Sequence, residues 1–181
     1  AAQRPFFFDH LPEISDRAMQ ENYALTGRKY ARVSMYRVED ADYLLVAQGS
    51  VVSSAEVVAD YLRETRKLKV GVVNLTMFRP FPGDLLGTIL AGRKGVTVLE
   101  RTDQPLASDL PLTREIRATI GKCVENGRAG KGALPYGDFP AYRKPEDIPP
   151  IYCGSFGLGS RDLQPEGIIG AVENMLDTGA K

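Results

Sequence analysis

Residues 43–47 read YLLVA, followed by Gln48, Gly49 and Ser50 and then by an amphipathic stretch over 53–67. Five apolar positions in unbroken succession suit a strand buried on both faces, since a strand with one wet face alternates. Gly49 and Ser50 make the turn. Ser53 and Glu56 have capping-box spacing and Val52 and Val57 that of a hydrophobic staple, so the helix is predicted over 53–67. Val57, Val58, Tyr61 and Leu62 form its predicted apolar stripe.

The same unit recurs along the chain. A second buried strand is predicted over 69–78, a short helix over 82–90 with Leu85, Leu86, Ile89 and Leu90 inward, and a third strand over 96–99. The next helix, 111–124, carries Leu112, Ile116, Ile120 and Val124 on one face. Residues 127–150 are rich in glycine and proline without an apolar period, which predicts a long irregular surface excursion. A short strand at 151–153 and a helix over 165–176, with Ile168, Ile169, Val172, Met175 and Leu176 inward, close the pattern.

Upstream, a proline-bounded aromatic lead-in (Pro5, Phe6, Phe7, Phe8, Pro12) precedes a helix over 13–26, with Gly27 placed as its C-terminal cap. Residues 32–38 alternate imperfectly and suit an edge strand half open to water. Strands separated by helices imply parallel pairing with helices on both sheet faces. The expected fold is therefore α/β, a three-layer α/β/α open and mostly parallel sheet, with residues 1–181 as one domain.

Composition narrows the function. The 181 residues are 43% hydrophobic and 25% charged, as expected of a globular chain. Twenty-three basic residues balance twenty-three acidic ones, so no net field favours nucleic acid or an anionic membrane. The longest apolar runs fall far short of the roughly 20 residues that a membrane helix requires. Cys123 and Cys153 stand far apart and His10 is the only histidine, so no zinc or iron–sulfur ligand set assembles. Both thiols are expected reduced and buried, in a cytoplasmic protein. With Ala1 in place of an initiator Met and no signal-peptide pattern, the chain is expected to be a piece of a longer polypeptide.

Four segments can carry chemistry, and each has a plainer alternative. Gly49, Ser50, Ser53 and Ser54 can hold an anion at a helix start, or simply cap it. Arg79, in TMFRPFP at 76–82, ends a strand at the sheet edge where open α/β folds bind ligands; it can clamp a carboxylate or phosphate, or hold a neighbouring domain. Glu100 and Arg101 end the next strand, where a general base is possible but a pairing of Glu100 with Arg101 or Arg79 is the expectation. Arg79 and Arg101 are expected to face one another. Gly157 and Gly159, in FGLGSRD at 156–162, suit positive backbone angles or the close approach of another chain, with Ser160 placed to cap a turn; a structural loop is the plainer reading. His10 and the basic runs at 28–32 and 63–69 read as solvated surface.

Taken in order, TGRKY at 26–30, DADYLLVAQGS at 40–50, KVGVVNLTMFRPFP at 69–82, VLERTDQP at 98–105 and FGLGSRD at 156–162 resemble pyruvate:ferredoxin oxidoreductase and related 2-oxoacid oxidoreductases. The resemblance is to their domain similar to the transketolase C-terminal domain. It implies an enzyme that oxidatively decarboxylates a 2-oxoacid with coenzyme A, thiamine diphosphate, Mg and iron–sulfur clusters, passing electrons to ferredoxin or flavodoxin. It implies further that those groups reside on other domains or subunits, with this chain as a structural and interface domain. The alternative is a binding module for coenzyme A or another anion at the carboxyl edge of the sheet. Asp103, Gln104 and Leu106 stand where the family pattern has lysine, glutamate and glycine, and Gln164 where it has threonine.

Overall fold

A computed structural model describes residues 2–129 and 132–176. In chain order the elements are α1 (Arg4–Phe8), α2 (Leu11–Thr26), β1 (Val33–Tyr36), β2 (Tyr43–Ala47), α3 (Val51–Arg66), β3 (Val70–Leu75), α4 (Gly83–Leu90), β4 (Gly95–Glu100), α5 (Pro111–Arg128), β5 (Ile151–Ser155) and α6 (Pro165–Leu176), with 3-10 turns at Pro145–Asp147 and Leu158–Ser160. The five strands form one sheet in the order β1-β3-β2-β4-β5. Only β1 runs antiparallel, pairing Val33 with Leu75 at the edge.

Alternation along the buried strands divides the core in two. Leu44, Val46, Val73, Val96 and Val98 face α4 and α5, where they meet Leu86, Leu90, Leu112 and Ile116. Leu45, Ala47, Val70, Val72 and Leu99 face α3 and α6, meeting Val58, Leu62, Ile168 and Val172. The continuous run YLLVA thus has the predicted meaning of a strand covered on both faces. Gly27 caps α2 in the left-handed region at φ 70°, as expected.

Several local expectations are corrected. The helix after β2 starts at Val51 with Ser50 as N-cap, so Ser53 lies inside it and the Ser53–Glu56 capping box does not form. Burial of Val51 and Val52 against the sheet overrides the local cap signal. The inward stripe is Val51, Val52, Ala55, Val58, Ala59 and Leu62, while Val57 is 68% exposed and Tyr61 also faces outward. Leu85 likewise sits at the surface of α4. The lead-in includes helix α1, and α2 begins at Leu11.

The basic runs are not merely solvated. Arg32 is buried and reaches Asp16 at 3.0 Å and Asp84 at 3.3 Å, joining the start of β1 to α2 and α4. Arg63 donates to the carbonyls of Val70 and Arg37 and pairs with Asp40 at 2.8 Å. Cys123 is buried as expected, whereas Cys153 on β5 is exposed; both are free thiols.

The segment after α5 is irregular and largely exposed, with no helix or strand over residues 132–144, but a few contacts anchor it to the body. Gly130 and Lys131 lie outside the described residues. Buried Asn126 bonds the backbone of Tyr136 on both sides and the carbonyl of Phe139. Tyr142 is buried against α4, its hydroxyl donating to the Gly87 carbonyl. That burial pushes the phenol far above its ordinary range. Room for the segment comes from a missing side chain: a Cβ on Gly127 would lie 1.6 Å from the Tyr142 carbonyl oxygen. Gly121, on the same helix, has open space around it. Gly127→Ala is therefore expected to destabilise the fold by about 1–3 kcal/mol or more, and Gly121→Ala to stabilise it by up to about 1 kcal/mol. Urea denaturation of the two variants checks the opposite signs.

Candidate functional site

The candidate site follows from the order of the strands. The connection leaving β2 enters α3 on one face of the sheet, while that leaving β4 enters α5 on the other. Because β2 and β4 are neighbours, their carboxyl ends flank a switch point, where a crevice opens in sheets of this kind. A 290 Å³ cavity lies there, lined by Gln48 after β2, Phe78 after β3, and Leu99, Glu100, Arg101 and Thr102 at the end of β4.

Glu100 pairs with neither arginine. Its buried carboxylate accepts the backbone N–H groups of Leu112 at 2.7 Å and Thr113 at 2.9 Å, together with the Thr113 hydroxyl at 3.0 Å. These are first-turn groups of α5, whose N-terminus leaves N–H donors unbonded within the helix and favours negative charge. The carboxylate anchors a helix, and its oxygens are occupied by those donors.

Arg79 and Arg101 do not share a partner either. Although β3 and β4 succeed one another in sequence, β2 lies between them in the sheet. Arg79 is exposed and reaches Glu115 of α5 at 2.7 Å and its neighbour's carbonyl at Phe78, stacking on the Phe78 ring at 4.2 Å. Arg101 turns the opposite way, its Nε donating to the Gly157 carbonyl at 3.3 Å. Its stem lies so close that a Cβ on Gly157 would fall 2.8 Å from Nε. Gly157 at φ 69° and Gly159 at φ 64° accordingly have the positive angles expected, joined by Ser160 at φ 60°.

Beside this loop is a second cavity of 340 Å³, lined by Ser50, Ser54, Arg101, Phe156, Arg161, Asp162, Gln164 and the starts of α3 and α6. Of the sequence candidates it brings together Ser50 and Arg101; Gly49 lines a separate depression with Asn74 and Thr76. Ser53 is exposed on α3 and lines neither cavity. Ser54, a sequence candidate too, joins Ser50 and Arg101 in the 340 Å³ cavity, whereas Arg161 went unnoticed in the sequence. FGLGSRD contains Arg161, but its glycines drew the reading to backbone shape.

The metal groups implied by the resemblance do not fit these residues. Among the described residues no three His, Cys, Asp or Glu side chains come together. Burial pushes the Cys123 thiol up, which disfavours the thiolate that a metal needs. Among the described residues, too, no helix is long and apolar enough to cross a membrane.

Sheet, helices and switch-point crevice define an open α/β domain covered on both faces. Residues 41–130 match the family described as pyruvate:ferredoxin oxidoreductase core domain II. The chain is 33% identical over 167 residues to pyruvate synthase subunit PorA of Thermotoga maritima, covering 92% of this chain and 36% of that protein. Against the probable pyruvate-flavodoxin oxidoreductase of Escherichia coli it is 29% identical, covering 90% of this chain and 12% of the other. The chain belongs to the pyruvate:ferredoxin oxidoreductase family, and it spans about a third or less of the length of these relatives. Its fold is shared with a 2-oxoglutarate:ferredoxin oxidoreductase from Magnetococcus marinus, solved with 2-oxoglutarate, coenzyme A and succinyl-CoA bound, at TM-score 0.50 and 21% identity over 87% of this chain and 21% of that one.

The roles of the edge residues separate in stability measurements. Glu100→Ala strands two buried N–H groups and is expected to cost roughly 2–3 kcal/mol. Arg79→Ala removes an exposed ion pair and is expected to cost no more than about 0.5 kcal/mol. Chemical denaturation of the chain reads both.

Proposed function

We propose that this chain is a structural and interface domain of a cytoplasmic enzyme that oxidatively decarboxylates pyruvate or a related 2-oxoacid to acyl-CoA. In this reading thiamine diphosphate, Mg, the iron–sulfur clusters and coenzyme A are held by other domains or subunits, and ferredoxin or flavodoxin receives the electrons. Family membership and the relatives' names support the reaction class. The free thiols of Cys123 and Cys153 suit a reducing compartment.

The observation that carries the interface role is the surface of α1 and α2. Phe6, Phe7 and Phe8 are 77%, 61% and 55% exposed. Helix α2 is 16 residues long and has no buried residue, with Ile14, Tyr23 and Leu25 facing outward. Three large aromatic rings exposed in succession, with further exposed apolar side chains on the helix that follows, are the kind of surface that marks protein contacts. Leu106, fully exposed in the loop after β4, adds an apolar knob at the carboxyl edge.

Replacing Phe6, Phe7 and Phe8 together with serine is expected to leave the chain's own denaturation midpoint unchanged, because these rings lie outside both cores. Co-purification with the remaining domains or subunits of the parent enzyme should fall severalfold. Undiminished assembly would refute the interface role. The chain alone is expected to show no turnover of pyruvate with coenzyme A and an electron acceptor, and activity above a buffer control would place catalytic groups here.

A further inference from the structure

The cations at the carboxyl edge are unequally committed. Arg79 has Glu115 as a carboxylate partner. Arg101 has only the Gly157 carbonyl at 3.3 Å, and Arg161 makes no hydrogen bond or ion pair among the described residues. Both line the 340 Å³ cavity, and Arg101 also lines the 290 Å³ cavity at the switch point, so the two spaces adjoin along one side chain. Ser50, Ser54 and Gln164 add neutral polar groups. Asp162 is the one carboxylate on the wall; it pairs with neither arginine and offsets one of the two positive charges.

We propose that this crevice binds a phosphate group of a small-molecule ligand, with Arg101 and Arg161 as its charged donors. Three features point the same way. The place adjoins, through Arg101, the crevice at a strand-order reversal, where open α/β sheets bind ligands. Two guanidinium groups arrive from different connections, one after β4 and one after β5, and such groups form charge-assisted, directional bonds to phosphate oxygens. The starts of α3 and α6 open on the same space, and α3 has no side-chain cap competing for its first N–H groups. Donors spread around the cavity suit a tetrahedral oxyanion, whereas a planar carboxylate is satisfied by a single arginine fork.

The test titrates the complete 181-residue chain with inorganic pyrophosphate, followed by calorimetry and by backbone amide shifts. One saturable site is expected, with shifts confined to residues around 50–54, 101–102 and 156–165. Arg161→Gln is the decisive variant, because that side chain supports nothing else in the fold, and it should weaken binding at least tenfold. Arg101→Gln should do the same, and Arg79→Gln should leave binding unchanged. Malonate, which carries two carboxylates in place of two phosphoryl groups, should bind at least tenfold more weakly than pyrophosphate. Absence of a saturable site, binding indifferent to Arg161→Gln, or malonate binding equal to pyrophosphate would each overturn the proposal. The readout is binding by this chain alone, so it stands or falls separately from assembly of the parent enzyme.

Discussion

Leu44, Leu45, Val46 and Ala47 have no solvent exposure at all, and a strand in that condition must be covered on both faces. Everything else in the fold answers to that requirement. Helices α3 and α6 supply one cover and α4 with α5 the other. Because β2 is flanked by β3 on one side and β4 on the other, the chain leaving β2 and the chain leaving β4 depart to opposite faces. The crevice between their ends is a consequence of covering β2 twice.

The last residue of β4 then determines what the crevice can be. With both carboxylate oxygens of Glu100 engaged by the start of α5, the acidic group nearest the opening serves as a helix anchor. Helix α5 is held a second time by the ion pair from Arg79 to Glu115, one turn further along. On the other side the stem of Arg101 lies against Gly157, and the Ser155 hydroxyl bonds the Thr102 carbonyl, so the loops after β4 and β5 are joined to one another. The groups that line the 340 Å³ cavity are cationic or neutral with the exception of Asp162.

Much of this was legible in the sequence, because the signals were strong and local. YLLVA specified a doubly buried strand, the strand–helix alternation gave the layers, and Gly27 marked a helix end. What failed did so where burial competes with a local motif. Ser53 and Glu56 have the spacing of a capping box, but Val51 and Val52 gain more by starting the helix earlier and packing on the sheet. Glu100 was read as a partner for arginine because charge is visible in a sequence, whereas the N–H groups of Leu112 and Thr113 become donors to it only when α5 folds back over β4. Strand order was not legible either, and with it went the expectation that Arg79 and Arg101 converge. Gly127 looked like the start of a loop; its close approach to Tyr142 depends on a contact that only the folded chain creates.

The same division between visible charge and invisible context explains Arg32. A buried guanidinium is costly unless its donors are satisfied, and here Asp16 and Asp84 share it while Arg32 itself accepts N–H bonds from Thr76 and Met77 through its carbonyl. One side chain thus ties α2 to the body through directional polar bonds, which set the helix orientation without consuming its apolar surface. A helix docked by hydrophobic packing would have spent Ile14, Leu25 and the rings before it on its own core. Docked by an arginine clamp, α2 is held in place and still has that surface to offer, which is the arrangement an interface element requires.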